Sequence, residues 1–312
     1  MRKTCLDHVY KLACRDERVV FIGSDLGAGV LDQFRREMPE RFFMEGIAEG
    51  HVVGMASGLA HEGKIVYLNT IQSFLTRRCY EQIVLDACLH NLNVRFIGNG
   101  GGMVYAPLGP THWATEDLSI LRVIPNMTVL VPADAEEMAR LMPATLDHRG
   151  PLFIRLAKGY DPVVTREETF EIGRAYSYRE GGDALIVGCG VVLGPMQEAA
   201  KRLAAQGVEA GVLHLPTIKP LDAEAVLSRA ARAACVVTVE ENTVLGGLGG
   251  AVAELLAEAC LERPLRFKRI GLEDRFSKHY GSQQDHFDRV GISGEGIAAA
   301  VLGLLGRAPN RP

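Results

Sequence analysis

Short runs of β-branched and aliphatic residues alternate with stretches whose apolar positions recur at helical spacing along nearly the whole chain. This is the pattern of parallel strands joined by crossover helices, so the expected class is α/β. In the first half, 19–22, 65–68, 94–97, 128–131 and 152–154 read as strands, each bounded by glycine, asparagine or proline. Between them 47–61 and 74–90 read as helices, and Pro132-Ala133-Asp134 followed by Glu136-Glu137 reads as a helix start with acids in its first turn. From 161 to about 182 the chain turns charged and irregular. A second series follows: strands at 184–187, 212–215, 236–239 and 265–270, with helices near 195–205, after Leu221-Asp222, and near 248–260. The expected architecture is two tandem domains, each a mostly parallel sheet flanked by helices. They span 1–165 and 183–312, with 166–182 as the linker.

A length of 312 residues agrees with two compact domains, and 47 % hydrophobic with 23 % charged residues is the mix of a globular chain. Lys and Arg number 34 against 38 Asp and Glu, a formal charge of −4 with no block of one sign, which argues against nucleic acid and anionic membranes as partners. The longest apolar stretch, 184–196, is interrupted by three glycines and a proline and falls short of the ~20 residues of a bilayer span. Charged residues punctuate the N-terminus where a signal peptide would be apolar. A cytoplasmic location is therefore expected. Seven widely spaced cysteines with no C-x-x-C read as reduced core residues.

Several motifs invite chemistry and fail on spacing. Gly188-Cys189-Gly190 through Gly194 follows a strand, but it is one residue off the dinucleotide fingerprint, and the next strand ends near His214 with no ribose-binding acid. A tight strand-to-helix turn explains it. No metal-ligand pattern occurs, so no metal site is expected in this chain. Gly291-Ile292-Ser293-Gly294 is not a nucleophile elbow. Cys79 and Cys88 fall on an amphipathic stretch and read as core. Glu45 and Glu49 stand at the start of a helix of small apolar residues, as ordinary first-turn acids or as a carboxylate meant for burial.

Gly46-Ile47-Ala48-Glu49 with Gly54-x-Ala56-x-Gly58-Leu59-Ala60 resembles the pyrimidine-domain signature of the transketolase superfamily of thiamine diphosphate enzymes. The likeness continues through Ser73-Phe74-Leu75 with Tyr80-Glu81-Gln82-Ile83, Gly109-Pro110-Thr111-His112 with Asp117-Leu118, Leu121-Arg122-x-Ile124-Pro125-Asn126, and Pro132-Ala133-Asp134. Lys219-Pro220-Leu221-Asp222, Val239-Glu240-Glu241 and Gly246-Gly247-Leu248-Gly249 resemble the C-terminal domain. The family's Gly-Asp-Gly motif, which holds the diphosphate through Mg²⁺, does not occur. The resemblance therefore implies one half of a split transketolase. A separate diphosphate-binding subunit would hold most of the thiamine diphosphate and Mg²⁺ contacts, in an α2β2 heterotetramer.

By this resemblance Glu49 hydrogen bonds the pyrimidine N1′ so that the cofactor's own amino group can deprotonate C2, a task for a carboxyl group kept dry. Phe74 would stack on the pyrimidine, with Tyr80 as a second wall. The alignment slips by one residue between them, leaving Arg77 and Arg78 as interchangeable candidates for a cofactor contact. Asp25 would lie near the thiazolium. His112 would face the cofactor's amino group and move protons at substrate oxygens. Arg2 and Lys158, with His112, would bind a sugar phosphate. Two positions depart from the family: Leu108 replaces an aspartate, and Asn99-Gly100-Gly101-Gly102 lacks a histidine. A buried leucine there implies a non-standard substrate. The expected reaction is transfer of a two-carbon ketol unit between sugar phosphates or related carbonyl compounds. The alternatives are the E1 β subunit of a 2-oxoacid dehydrogenase and a non-catalytic scaffold.

Overall fold

The computed structural model describes residues 1–24, 29, 31–157 and 161–307. The chain begins with a helix absent from the sequence expectation, α1 (Arg2–Arg15), which buries Cys5, Leu6, Val9, Leu12 and Ala13 along one face. Then follow β1 (Val19–Gly23), α2 (Asp32–Glu37), the short β2 (Phe42–Met44) and α3 (Glu49–His61). Next come β3 (Ile65–Ile71), α4 (Gln72–Arg78) and one turn, α5 (Tyr80–Gln82), that runs into a π-helical stretch, Ile83–Cys88. The remainder of this half is β4 (Val94–Asn99), α6 (Asp117–Arg122), β5 (Thr128–Leu130), α7 (Ala135–Asp147) and β6 (Leu152–Leu156).

The helix expected at 74–90 is thus interrupted at Cys79, whose backbone leaves helical geometry at φ −115°, ψ 18°. A π-turn holds one residue more than an α-turn. The one-residue slip between Phe74 and Tyr80 falls at this break. Asp134 caps α7 as expected, accepting from the Glu136 and Glu137 amides. Such a cap stabilises a helix by about 1 kcal/mol.

The second half contains β7 (Tyr176–Arg179), β8 (Ala184–Gly188), α8 (Leu193–Ala204), β9 (Ala210–His214), β10 (Thr217–Lys219) and α9 (Ala223–Ala230). It ends with β11 (Cys235–Thr243), α10 (Leu248–Glu258), β12 (Arg266–Leu272), α11 (Gln283–Val290) and α12 (Gly294–Leu305). Strands order as β10-β5-β6-β4-β3-β1-β2 in one sheet and β12-β11-β8-β9-β7 in the other. Every pairing is parallel except β10 with β5 and β7 with β9.

Two features differ from the expected division of the chain. Tyr176–Arg179, inside the stretch read as linker, is a strand of the second sheet, where it pairs antiparallel with β9. Strand β10, from the second half, joins the first sheet, and Val131 N–H donates to the Pro216 carbonyl beside it. The halves are further linked by His214 Nε2, 3.0 Å from Glu137 Oε2 with both groups buried, so His214 ties the two domains together. Gly190 takes φ +68° in the turn between β8 and α8, and a Cβ on Gly188 would lie 2.3 Å from the Met196 sulfur. That tight turn accounts for the glycine motif.

Alternation along each buried strand sorts its side chains to two faces. On the first sheet, Val19, Phe21, Ile65 and Tyr67 meet α1, α2 and α7, whereas Val20, Ile22, Val66 and Leu68 meet α3, α4 and the π-helix. The latter core runs on without interruption into Leu185, Val187, Leu213 and Leu248 of the second half. Five cysteines are buried and all are free, as expected, but Cys14 and Cys260 are exposed. Burial pushes the Cys79 and Cys88 thiols up to about 12, which removes them as nucleophiles. Among the described residues no helix is long and apolar enough to cross a membrane.

Candidate active site

The first sheet changes winding direction between β1 and β3: β2 lies on one side, β4 and β6 on the other. In open α/β sheets the carboxyl ends of the strands around such a point form a crevice where ligands bind. Three segments reach this crevice: the start of α3 after β2, the start of α4 after β3, and the long loop after β4.

The two acids at the first of these segments are not equivalent. Glu45 is exposed, its carboxylate 3.8 Å from His51. Glu49, the first residue of α3, is only 2 % exposed. Its Oε2 accepts from Arg78 Nη1 at 2.7 Å. The Arg78 guanidinium carbon also lies 4.3 Å from the centroid of the Phe74 ring. Phe74 faces His112 with ring centroids 5.1 Å apart. His112 Nδ1 is 2.9 Å from the Thr111 hydroxyl, and Ser73 Oγ donates to the Thr111 carbonyl, tying the histidine's loop to α4. Glu49, Arg78, Phe74 and His112 therefore form one contiguous group assembled from three segments.

The adjacent arginines are also distinct. Arg77 forms an ion pair with Glu116 and donates to the Pro110 carbonyl at 3.0 Å and the Trp113 carbonyl at 2.7 Å. It anchors the loop that carries His112, while Arg78 is the one beside Glu49. The Tyr80 hydroxyl donates to the Ile120 carbonyl at 3.0 Å, which commits its polar end to α6. Arg2 is exposed at the start of α1, on the sheet face opposite α3 and α4, so it does not join this group. Asp25 and Lys158 lie outside the described residues.

The substrate-side loop corrects one expectation: Leu108 is 54 % exposed in this chain rather than buried. It sits on a short 3-10 turn, Ala106–Leu108, that projects from the loop after β4. Gly100, at φ +81°, has no room for a side chain, because a Cβ there would lie 2.1 Å from the Tyr105 ring. Tyr105 stands edge-on to His112 at 6.4 Å. The space that a side chain at position 100 would need is thus taken by an aromatic ring arriving from five residues on. Sequence reasoning missed Tyr105, and the four residues after Asn99-Gly100 carry no spacing signal that would have found it.

A second cluster that sequence reasoning also missed supports this loop from below. Arg155 grips Asp117 with two hydrogen bonds, Nε to Oδ2 at 2.8 Å and Nη2 to Oδ1 at 3.0 Å, with both side chains buried. Arg155 Nη2 also reaches the carbonyls of Ala114 and Glu241, and Gln72 donates its amide to Asp117. Glu241, from β11, accepts the Met103 amide at 2.8 Å and the Gln283 side chain at 2.7 Å. One salt bridge thereby ties α4, α6, the His112 loop and the second domain together.

Burial pushes the Asp117 carboxyl up to about 6 against the pull of Arg155, and the Glu241 carboxyl up to about 7. Burial likewise raises Glu240 to about 7 although its oxygens accept the Leu248 and Gly249 amides. A carboxyl raised on folding makes the native state the better proton binder, so its stabilisation is complete below the unfolded value and is lost as pH rises through the folded one. Thermal unfolding followed by circular dichroism is expected to give a midpoint that falls between about pH 5 and about pH 8. Glu241→Gln should flatten that slope; an unchanged slope would remove Glu241 as its source.

Comparison with known proteins agrees with this architecture. Residues 1–160 match the model of the transketolase pyrimidine-binding domain, and residues 173–297 that of the transketolase C-terminal domain. The 6-deoxy-6-sulfo-D-fructose transketolase subunit SqwH of Clostridium sp. (strain MSTE9) is 38 % identical over 89 % of this chain and 86 % of its own length. The 1-deoxy-D-xylulose-5-phosphate synthase 1 of Geobacter sulfurreducens is 39 % identical over 96 % of this chain, which spans only 47 % of that enzyme. Among solved structures, a split-gene transketolase in an inactive β4 tetramer superposes with a TM-score of 0.89 at 34 % identity, covering 99 % of both chains.

Proposed function

This chain belongs to the transketolase family of thiamine-diphosphate-dependent enzymes, and we propose that it is the cofactor-activating subunit of a split transketolase. The observation that carries the reading is the dry Glu49 carboxylate at the start of α3, joined through Arg78 to Phe74, which in turn faces His112. The donor set suits the aminopyrimidine half of the cofactor: a carboxylate for a ring nitrogen and an aromatic face for the ring. Bound thiamine diphosphate would supply an electron sink for breaking and making the bond between a carbonyl carbon and its neighbour.

The chain's own residues supply the rest. Glu49 would hold the pyrimidine N1′ and share a proton with it, where burial keeps water from competing. Phe74 would fix the plane of the ring. His112, held by Thr111 and edged by Tyr105, moves protons at the substrate oxygens. The diphosphate and Mg²⁺ are assigned to a partner chain carrying Gly-Asp-Gly, in an α2β2 assembly. Support comes from relatives of similar length that are transketolase subunits, and from a related split-gene β4 assembly being described as inactive.

The ring-filled space over Gly100 favours a carbonyl substrate other than the usual pentose and hexose phosphates, and a relative is a 6-deoxy-6-sulfo-D-fructose transketolase subunit. Reconstitution tests the proposal. Mixing this chain with a Gly-Asp-Gly partner, thiamine diphosphate and Mg²⁺ is expected to give ketol transfer from a ketose to an aldehyde acceptor, with neither chain active alone. Transfer to a lipoyl domain instead would move the assignment to a 2-oxoacid dehydrogenase component, and turnover by this chain alone would end the split-enzyme reading.

A further inference from the structure

We propose that the Arg78 guanidinium is a built-in stand-in for the cofactor's aminopyrimidine, occupying its two contacts in the chain by itself and leaving when the cofactor binds. The inference rests on the reading of Glu49 and Phe74 as the pyrimidine's partners. A guanidinium and an aminopyrimidine share the features those partners recognise: a flat delocalised face and N–H groups along its edge. Arg78 presents both at once. Its Nη1 donates to Glu49 Oε2 at 2.7 Å while its guanidinium carbon lies 4.3 Å from the Phe74 ring centroid. A cofactor ring that hydrogen bonds Glu49 and stacks on Phe74 competes with this side chain for both.

The arrangement has a physical rationale. A buried carboxylate without a partner is costly, so an unfilled site needs a cation for Glu49. Arg78 supplies it from a position built for release. It is the last residue of α4, next to the break at Cys79, and its side chain is 53 % exposed. Among the described residues it makes no other hydrogen bond or ion pair. Arg77, one residue earlier, is held by Glu116, Pro110 and Trp113 and cannot leave without freeing the His112 loop. Of two neighbouring arginines, one is fastened to the loop and the other rests in the site.

Calorimetric titration of thiamine diphosphate with Mg²⁺ into the reconstituted pair tests this without reference to turnover. Arg78→Ala is expected to bind about tenfold or more tightly than wild type, since the cofactor no longer displaces a charge-assisted hydrogen bond. Arg78→Lys should fall between the two, keeping the charge but losing the flat face. Guanidinium chloride at about 10 mM, far below the molar range that unfolds proteins, should weaken binding to Arg78→Ala more than to wild type. Equal or weaker cofactor binding by Arg78→Ala, or an equal response of both proteins to guanidinium, overturns the proposal and leaves the role of Glu49 standing. No binding by wild type or either variant overturns it together with the reading of the site.

Discussion

Glu49→Ala is expected to lower ketol-transfer turnover of the reconstituted pair by about two to four orders of magnitude, the range lost when a positioned acid–base group is removed. The loss should appear in kcat, because the carboxylate acts on the cofactor's proton and not on the ketose. Assembly and folding should survive. Glu49 is buried, but its partner Arg78 is half exposed and rehydrates once released, so no uncompensated charge is left inside. Size-exclusion chromatography and the thermal midpoint should therefore stay near wild type while activity collapses. Glu49→Gln keeps the shape and loses the negative charge, and it should be nearly as inactive. Turnover within about threefold of wild type in either variant would remove Glu49 from the chemistry.

The opposite profile is expected one layer deeper. Asp117→Ala should destabilise the chain by about 3–5 kcal/mol, because it strands the Arg155 guanidinium in a site where both side chains are buried. Urea unfolding measures this directly. Replacing the pair together, as Asp117→Leu with Arg155→Met, should cost less than either single change, since no lone charge remains. Of the two changes, Asp117→Ala is expected to cause the larger loss of stability and Glu49→Ala the larger loss of rate. An unfolding free energy for Asp117→Ala within about 1 kcal/mol of wild type would show that the Ala114 and Glu241 carbonyls satisfy Arg155 without it.

How much of this was readable in advance follows from where each signal lies. Interior parallel strands such as β3, β4, β8 and β11 are buried on both faces, so their unbroken apolar runs stood out. The edge strands β2, β7 and β10 did not, because three or four residues carry too few apolar positions to show a period. Helix α1 carries a helical spacing of apolar residues, but Lys3, Asp7, Lys11 and Arg15 interleave it and dilute its periodicity. Glu49, Phe74 and His112 were found because each sits in a local motif. Arg77 and Arg78 could not be told apart, since that choice depends on the break at Cys79. The Asp117–Arg155–Glu241 cluster was invisible for a simpler reason: its members lie 38 and 86 positions apart.

Strand β10 limits how this polypeptide can be cut. Ending the chain in the stretch that separates its two family domains would strip the three-residue β5 of its outer neighbour and leave Thr128–Leu130 as a bare, flat margin open to pairing with other molecules. Each fragment would also uncover half of a greasy surface now shared between Val187, Leu213 and the first sheet's helices. Truncation at that point is a recipe for aggregates, so a workable dissection must keep both sheets on one polypeptide.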